Sequence, residues 1–374
     1  DFTNTFIDLR IKEFSTDLED LLNISNSIPS QSSLTEAIPQ EFNRAGDLFY
    51  SGFFTGFPED FVTYGSLETD AGSFSLDLNF ERDSLNEGVN YLGSFEAQRV
   101  DAGKLMDIDS LGVLSGSFNV DAFSKESFET ARVKGLLSEF NFLGYRYKNI
   151  KLDGNLAKKR FAGSLESDDP NLNLTFNGVV DFSTSVPFYD FDANIANLDL
   201  TALNFVKLEE ELSLSTIISL DGRGDELENA AGKLVADQSI LCYGDSTIAV
   251  DQLKLSIYGD SLNRKVSFDS DIVDISITGI FDPVGLPGAF TNMLAEVMPS
   301  LASPVNSVSK EVFQFSVNYE SSNSISSFLV PGLSISKGTS LYGSFNSETR
   351  KLEVSFITPE IEYKQYSAKG LSGL

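Results

Sequence analysis

KRFAGSLESDDPNLNLTFNGVVDFS, residues Lys159 to Ser183, is the stretch on which the fold turns. Leu172, Leu174 and Phe176 alternate with Asn171, Asn173, Thr175 and Asn177. Successive side chains of a strand point to opposite faces, so this spacing predicts a strand with one apolar and one polar side. Upstream, Phe161 and Leu165 fit a second such strand, and the SDDPN between them carries the Asp and Pro that turns favour. The implied unit is a pair of neighbouring strands, each apolar on one side only.

The unit recurs in both directions. Ile150 and Leu152 precede it. Leu253, Leu255 and Ile257 follow, then Val273, Ile275, Ile277 and Phe281. Phe313, Phe315 and Val317, and finally Leu352, Val354 and Phe356, continue the pattern. Turn signals separate these runs at intervals of about 8 to 14 residues, as expected for consecutive antiparallel strands. Gly154, Gly163, Gly178, Gly279 and Gly343 fall inside the runs, where glycine marks a bend or a close approach and so predicts curvature. Helix signals are few. Thr16 and Glu19 have capping-box spacing, Leu34, Ile38 and Phe42 recur every four residues, and Leu286, Phe290, Leu294, Val297 and Leu301 form a stripe beginning beside Pro287.

The expected fold is all-β, a long curved antiparallel sheet with a few short amphipathic helices. The chain reads as one continuous segment, 1–374, with subdivisions at 1–140, 141–285, a helical or linker stretch 286–310, and 311–374. One-sided strands need a cover for their apolar face. Pattern alone leaves two solutions open: a closed core between packed sheets, or an uncovered groove.

Composition narrows the chemistry. The chain holds 27 basic and 55 acidic residues, a net charge of −28. A surface this acidic repels nucleic-acid phosphates, which excludes DNA and RNA as partners. There is no His, so His-based nucleophile systems and His metal sites are excluded. The single Cys242 lies among apolar neighbours and reads as packing. Asp168 and Asp169 read as a turn before Pro170; Asp269, Asp271 and Asp274 lack EF-hand spacing and read as a solvated strand face. No enzyme, cofactor or metal is expected. A carboxylate-only glycan hydrolase would need two acids about 5 to 9.5 Å apart in a cleft. No apolar run reaches the roughly 18 residues of a membrane-spanning helix, and the chain reads as a segment of something longer, with any anchor outside it.

Phe42 to Phe80, Glu139 to Ser183 (with YKNIKLDG from Tyr147) and SFDSDIVDISITGIFD from Ser267, followed by LPGAFTNML, resemble a known family. It is the TamB family of translocation and assembly module subunits, within the AsmA-like superfamily, in the long form of Bacteroidota. The resemblance covers most of residues 40 to 300. It implies an open hydrophobic groove, a β-taco, whose apolar strand faces line a path for phospholipid. It also implies a periplasmic setting, an inner-membrane anchor helix, an outer-membrane partner of the barrel-assembly type, and a possible part in outer-membrane protein assembly. The apolar residues named above, from Ile150 to Phe356, are then the groove lining. The rival expectation is a structural envelope protein with a closed core. Asp-Ser/Thr pairs of the kind glycosylated in Bacteroidota envelope proteins make Ser84, Ser110, Ser246 and Ser261 candidate O-glycan acceptors.

Overall fold

The computed structural model describes all residues except 1–3, 21–22, 24–42, 84, 87, 126, 287, 289–290, 293–309, 322–331 and 374. The protein is all-β, with 70% of residues in strands and 5% in helices, and its antiparallel sheet is not closed into a barrel. The described residues contain 21 strands. The chain gathers into two compact units, Asp1–Ser183 with Ala196–Glu211, and Thr184–Ile195 with Leu212–Leu374.

In the first unit, ten strands follow one another as an uninterrupted meander. They are β1 (Ile7–Thr16), β2 (Leu48–Phe57), β3 (Asp60–Thr69), β4 (Gly72–Asp83), β5 (Gly88–Asp101), β6 (Leu111–Lys125), β7 (Ser127–Phe142), β8 (Tyr145–Ala157), β9 (Arg160–Asp169) and β10 (Leu172–Asp181). Each pairs antiparallel with the next. Between β5 and β6 the chain forms the short helix α1 (Ala102–Met106), whose N-terminal Lys104 amide donates to Asp101 at 2.9 Å. Beyond β10, β11 (Phe188–Asp199) runs from the second unit into the first. Its end leads to a turn in which Leu203 is 0% exposed.

The second unit continues with β12 (Leu212–Arg223), β13 (Ala231–Tyr243), β14 (Ser246–Tyr258), β15 (Arg264–Ser270), β16 (Val273–Ile280) and β17 (Val312–Tyr319), each paired with its successor. β17 then pairs with β19 (Ser340–Asn346), β19 with β20 (Lys351–Tyr363), and β20 with β21 (Tyr366–Gly373). The three-residue β18 (Leu333–Ile335) pairs with the far end of β20.

The first turn of the helix after β1 is capped by Asp17, whose Oδ1 accepts the Asp20 amide at 2.7 Å. Thr16, the expected cap, is the last residue of the strand. The expected stripes at 34–42 and 286–301 lie largely outside the described residues.

Among the described residues, most apolar strand side chains are half-buried and few are fully buried. No described element forms a second layer over the apolar side of the strands.

Candidate functional site

Residues opposite one another in an antiparallel ladder share a face, so the pairing assigns every strand residue to a side. In the first unit the apolar side is a set of unbroken cross-strand rows. One runs Ile11, Gly52, Gly65, Leu76, Phe95, Phe118, Gly135, Leu152, Leu165, Phe176. Another, two rows away along the strands, runs Ile7, Gly56, Phe61, Phe80, Tyr91, Ala122, Ala131, Leu156, Phe161, Val180. Five irregularities, between Ile11 and Phe14, Ala97 and Val100, Leu111 and Leu114, Ser115 and Gly116, and Phe123 and Ser124, fall outside these two rows and leave them in register. Ten strands at about 4.8 Å make each row about 43 Å long, measured along the sheet. From Phe74 to Phe80 on β4 the apolar band is about 20 Å tall.

The second unit repeats the design. Leu220, Leu234, Leu255, Phe268, Ile275, Val317, Leu341, Phe356 and Gly373 form one row. Gly222, Gly232, Ile257, Val266, Ile277, Phe315, Gly343 and Val354 form the next.

The residues expected to line a groove are therefore placed as follows. Ile150, Leu152, Phe161, Leu165, Leu172, Leu174 and Phe176 share the apolar face of the first unit. Leu253, Leu255, Ile257, Val273, Ile275, Ile277, Phe313, Phe315, Val317, Leu352, Val354 and Phe356 share that of the second. Phe281 follows β16 and packs with Phe313 and Phe345. Most are half-buried, as expected of side chains flanked by neighbours but not roofed. Four differ. Ile150, at 6% exposure, is buried in a cluster with Leu203, and Val273, Phe281 and Phe313 are likewise buried, so these four are local core and not open wall. Phe356 is 37% exposed, beside Gly373 near the last strand.

Alternation from Ile150 onward was readable, but the first 140 residues hid an equally good face. Phe49 and Phe53 point to the polar side of β2 while Tyr50 and Phe54 point to the apolar side, so FYSGFF shows no period in the sequence. The register shift between Ala97 and Val100 breaks the alternation of β5 in the same way. The signal that survives is the aromatic series itself. Phe54, Phe61, Phe80 and Tyr91 pack in series across four strands, with ring centroids 4.3, 4.6 and 4.9 Å apart, Phe61 and Phe80 stacked and Tyr91 edge-on. Burial pushes the Tyr91 phenol up to about 12.

The two margins of the first face differ. At one, α1 and the turn after β11 close over the strand ends. Leu105 joins Leu48, Ala97, Val100 and Phe118 in a buried cluster, and Leu203 joins Tyr147 and Ile150 in another. Here Asp169 is buried and fully used: it accepts the Tyr145 hydroxyl at 2.7 Å and the Lys148 and Asn171 amides at 3.0 and 2.9 Å. Burial first, and then the bond to Asp169, push the Tyr145 phenol up to about 12. At the opposite margin, no described helix packs over the aromatic row.

The reverse face is mostly polar, with Phe49, Phe53, Val62 and Leu92 exposed among its charged and hydroxyl side chains. Lys134 and Lys151 pair across strands with Asp153 and Glu166 at 3.1 and 3.4 Å. A shallow hollow of about 530 Å³ opens on this side among Asp77, Asn79, Asn119, Asp121, Arg132 and Lys134. Among the described residues, no group of three or more His, Cys, Asp or Glu is arranged to hold a metal ion. Asp271 and Asp274 instead accept backbone amides, from Asp251 and Ser270. Cys242 is half-buried, 3.7 Å from the Thr247 hydroxyl. Of the candidate glycan acceptors, Ser246 is exposed at the start of β14 and Ser261 in a turn, Ser110 is half-buried, and Ser84 lies outside the described residues. No described helix is long and apolar enough to cross a membrane.

The chain matches no protein-family model, no curated protein and no solved structure.

Proposed function

We propose that this chain is a segment of a bridge-like lipid transfer protein, carrying the acyl chains of phospholipid along its apolar sheet faces. The single observation that carries the reading is the unbroken apolar row over which no described element forms a second layer. An acyl chain in water costs about 0.8 kcal/mol for each exposed CH₂. A row of Leu, Ile, Val and Phe offers each methylene an apolar neighbour and no polar group that would hold the lipid in one place. Movement along such a track needs no catalytic constellation. The polar reverse face and the net charge of −28 keep the wide sheet in solution. The resemblance to the TamB family supplies the setting: phospholipid as cargo, the periplasm as compartment, and anchoring and barrel-assembly partners at the two membranes.

The test is lipid capture. The chain is incubated with phospholipid vesicles, re-isolated and weighed by native mass spectrometry, with extraction to identify what is bound. Wild type should retain phospholipid. Leu174→Asp and Ile275→Asp should lose most of it while keeping wild-type circular dichroism and melting. An unloaded wild type, or folded variants that load normally, would overturn the proposal.

A further inference from the structure

The asymmetry between the two margins of the first unit's apolar face gives a bound lipid a direction. It rests on the reading of that face as a lipid carrier. At the closed margin, under α1 and Leu203, apolar side chains are buried among themselves. The other margin ends in the row containing Phe61, Phe80 and Tyr91, and beyond it lie the turns after β2, β4, β6 and β8. The β8–β9 turn is Ala157-Lys158-Lys159-Arg160, the only run of three consecutive cations in the sequence. It sits directly beyond Leu156 and Phe161, the outermost apolar pair of those strands. Arg160 is engaged with Asp181 at 3.6 Å. Lys158 and Lys159 are exposed, and among the described residues neither has an ion-pair partner. The neighbouring Phe182, whose amide donates to the Lys159 carbonyl at 2.9 Å, is also exposed.

The height of the band accommodates a lipid lying along the strands. It spans about 20 Å along the strands. The acyl half of a bilayer, half of roughly 30 Å, needs about 15 Å. We infer that a phospholipid on the first unit lies along the strands, tail ends toward α1 and Leu203, with its phosphate at the β8–β9 turn against Lys158 and Lys159. A cation pair on an otherwise acidic chain then favours lipids bearing phosphate over lipids without it.

Crosslinking distinguishes the outcomes. The wild-type chain is loaded from vesicles with phosphatidylglycerol carrying a photoreactive diazirine either at the tail end or on the headgroup, irradiated, and mapped by peptide mass spectrometry. The tail probe should label 102–106 and 199–206, and the headgroup probe 157–160. Lipid that crosslinks with the reverse pattern, or uniformly, overturns the orientation and leaves carriage standing. No crosslink with either probe overturns carriage, and the orientation falls with it. As a second measurement, Lys158→Glu with Lys159→Glu should lower the ratio of phosphatidylglycerol to diacylglycerol loaded about fivefold, the size expected of two exposed charge contacts. An unchanged ratio rejects the assignment to these lysines.

Discussion

Asp169 shows how a single side chain can anchor an open sheet. A buried carboxylate is tolerated because the Tyr145 hydroxyl and two backbone amides satisfy it. Asp169→Ala leaves those donors without their acceptor and should cost about 2 to 4 kcal/mol in urea unfolding. The same site predicts an alkaline transition. The folded Tyr145 pKa is raised above its usual 10, to about 12. Its stabilising contribution is therefore complete below pH 10 and is lost as pH rises toward 12. Urea midpoints followed over that window should fall, and Tyr145→Phe should reduce the slope. In the sequence, Asp168 and Asp169 read alike, as a turn before proline. Only folding separates them, because the Tyr145 hydroxyl approaches from 24 residues away.

At the level of strands, glycine placement matters more than strand propensity. Gly154, Gly163 and Gly178 pair directly across β8, β9 and β10, and a Cβ on Gly163 would meet the Asp153 carbonyl oxygen at 2.3 Å and the Gly154 Cα at 2.4 Å. Gly163→Ala should therefore force the strands apart and cost about 1 to 3 kcal/mol, measured by thermal unfolding. The alternation at Leu172 to Phe176 was legible because these strands are regular and polar on one side. The helix α1 was not legible: its five residues are too few for a periodic stripe, and Leu105 matters through long-range packing. Leu105→Ala should destabilise by about 2 to 4 kcal/mol, the cost of emptying a buried leucine site, and should reduce hydrogen-exchange protection at 102–111 more than at β9.

For the molecule as a whole, the fold class was readable because nearly every connection joins adjacent strands, so the sequence order of apolar runs is close to the order of the ladder. What could not be read was whether the apolar side had a cover, since a closed sandwich and an open face share the same period of two. The half-buried state of most apolar strand residues fits the open face and carries its own prediction. Calorimetry summed over all transitions should give a heat-capacity increment below the globular value. A full globular increment would mean that the apolar faces are covered in solution.

The register irregularities between Ala97 and Val100 and between Leu111 and Leu114 leave the ladder continuous from Ile7 to Val180. Because each strand of the first unit pairs in the ladder only with its sequence neighbours, excising or duplicating one hairpin preserves strand direction and the side on which every remaining residue stands. The oily track can thus be lengthened or shortened two strands at a time, with reach set by gene length and no new fold required.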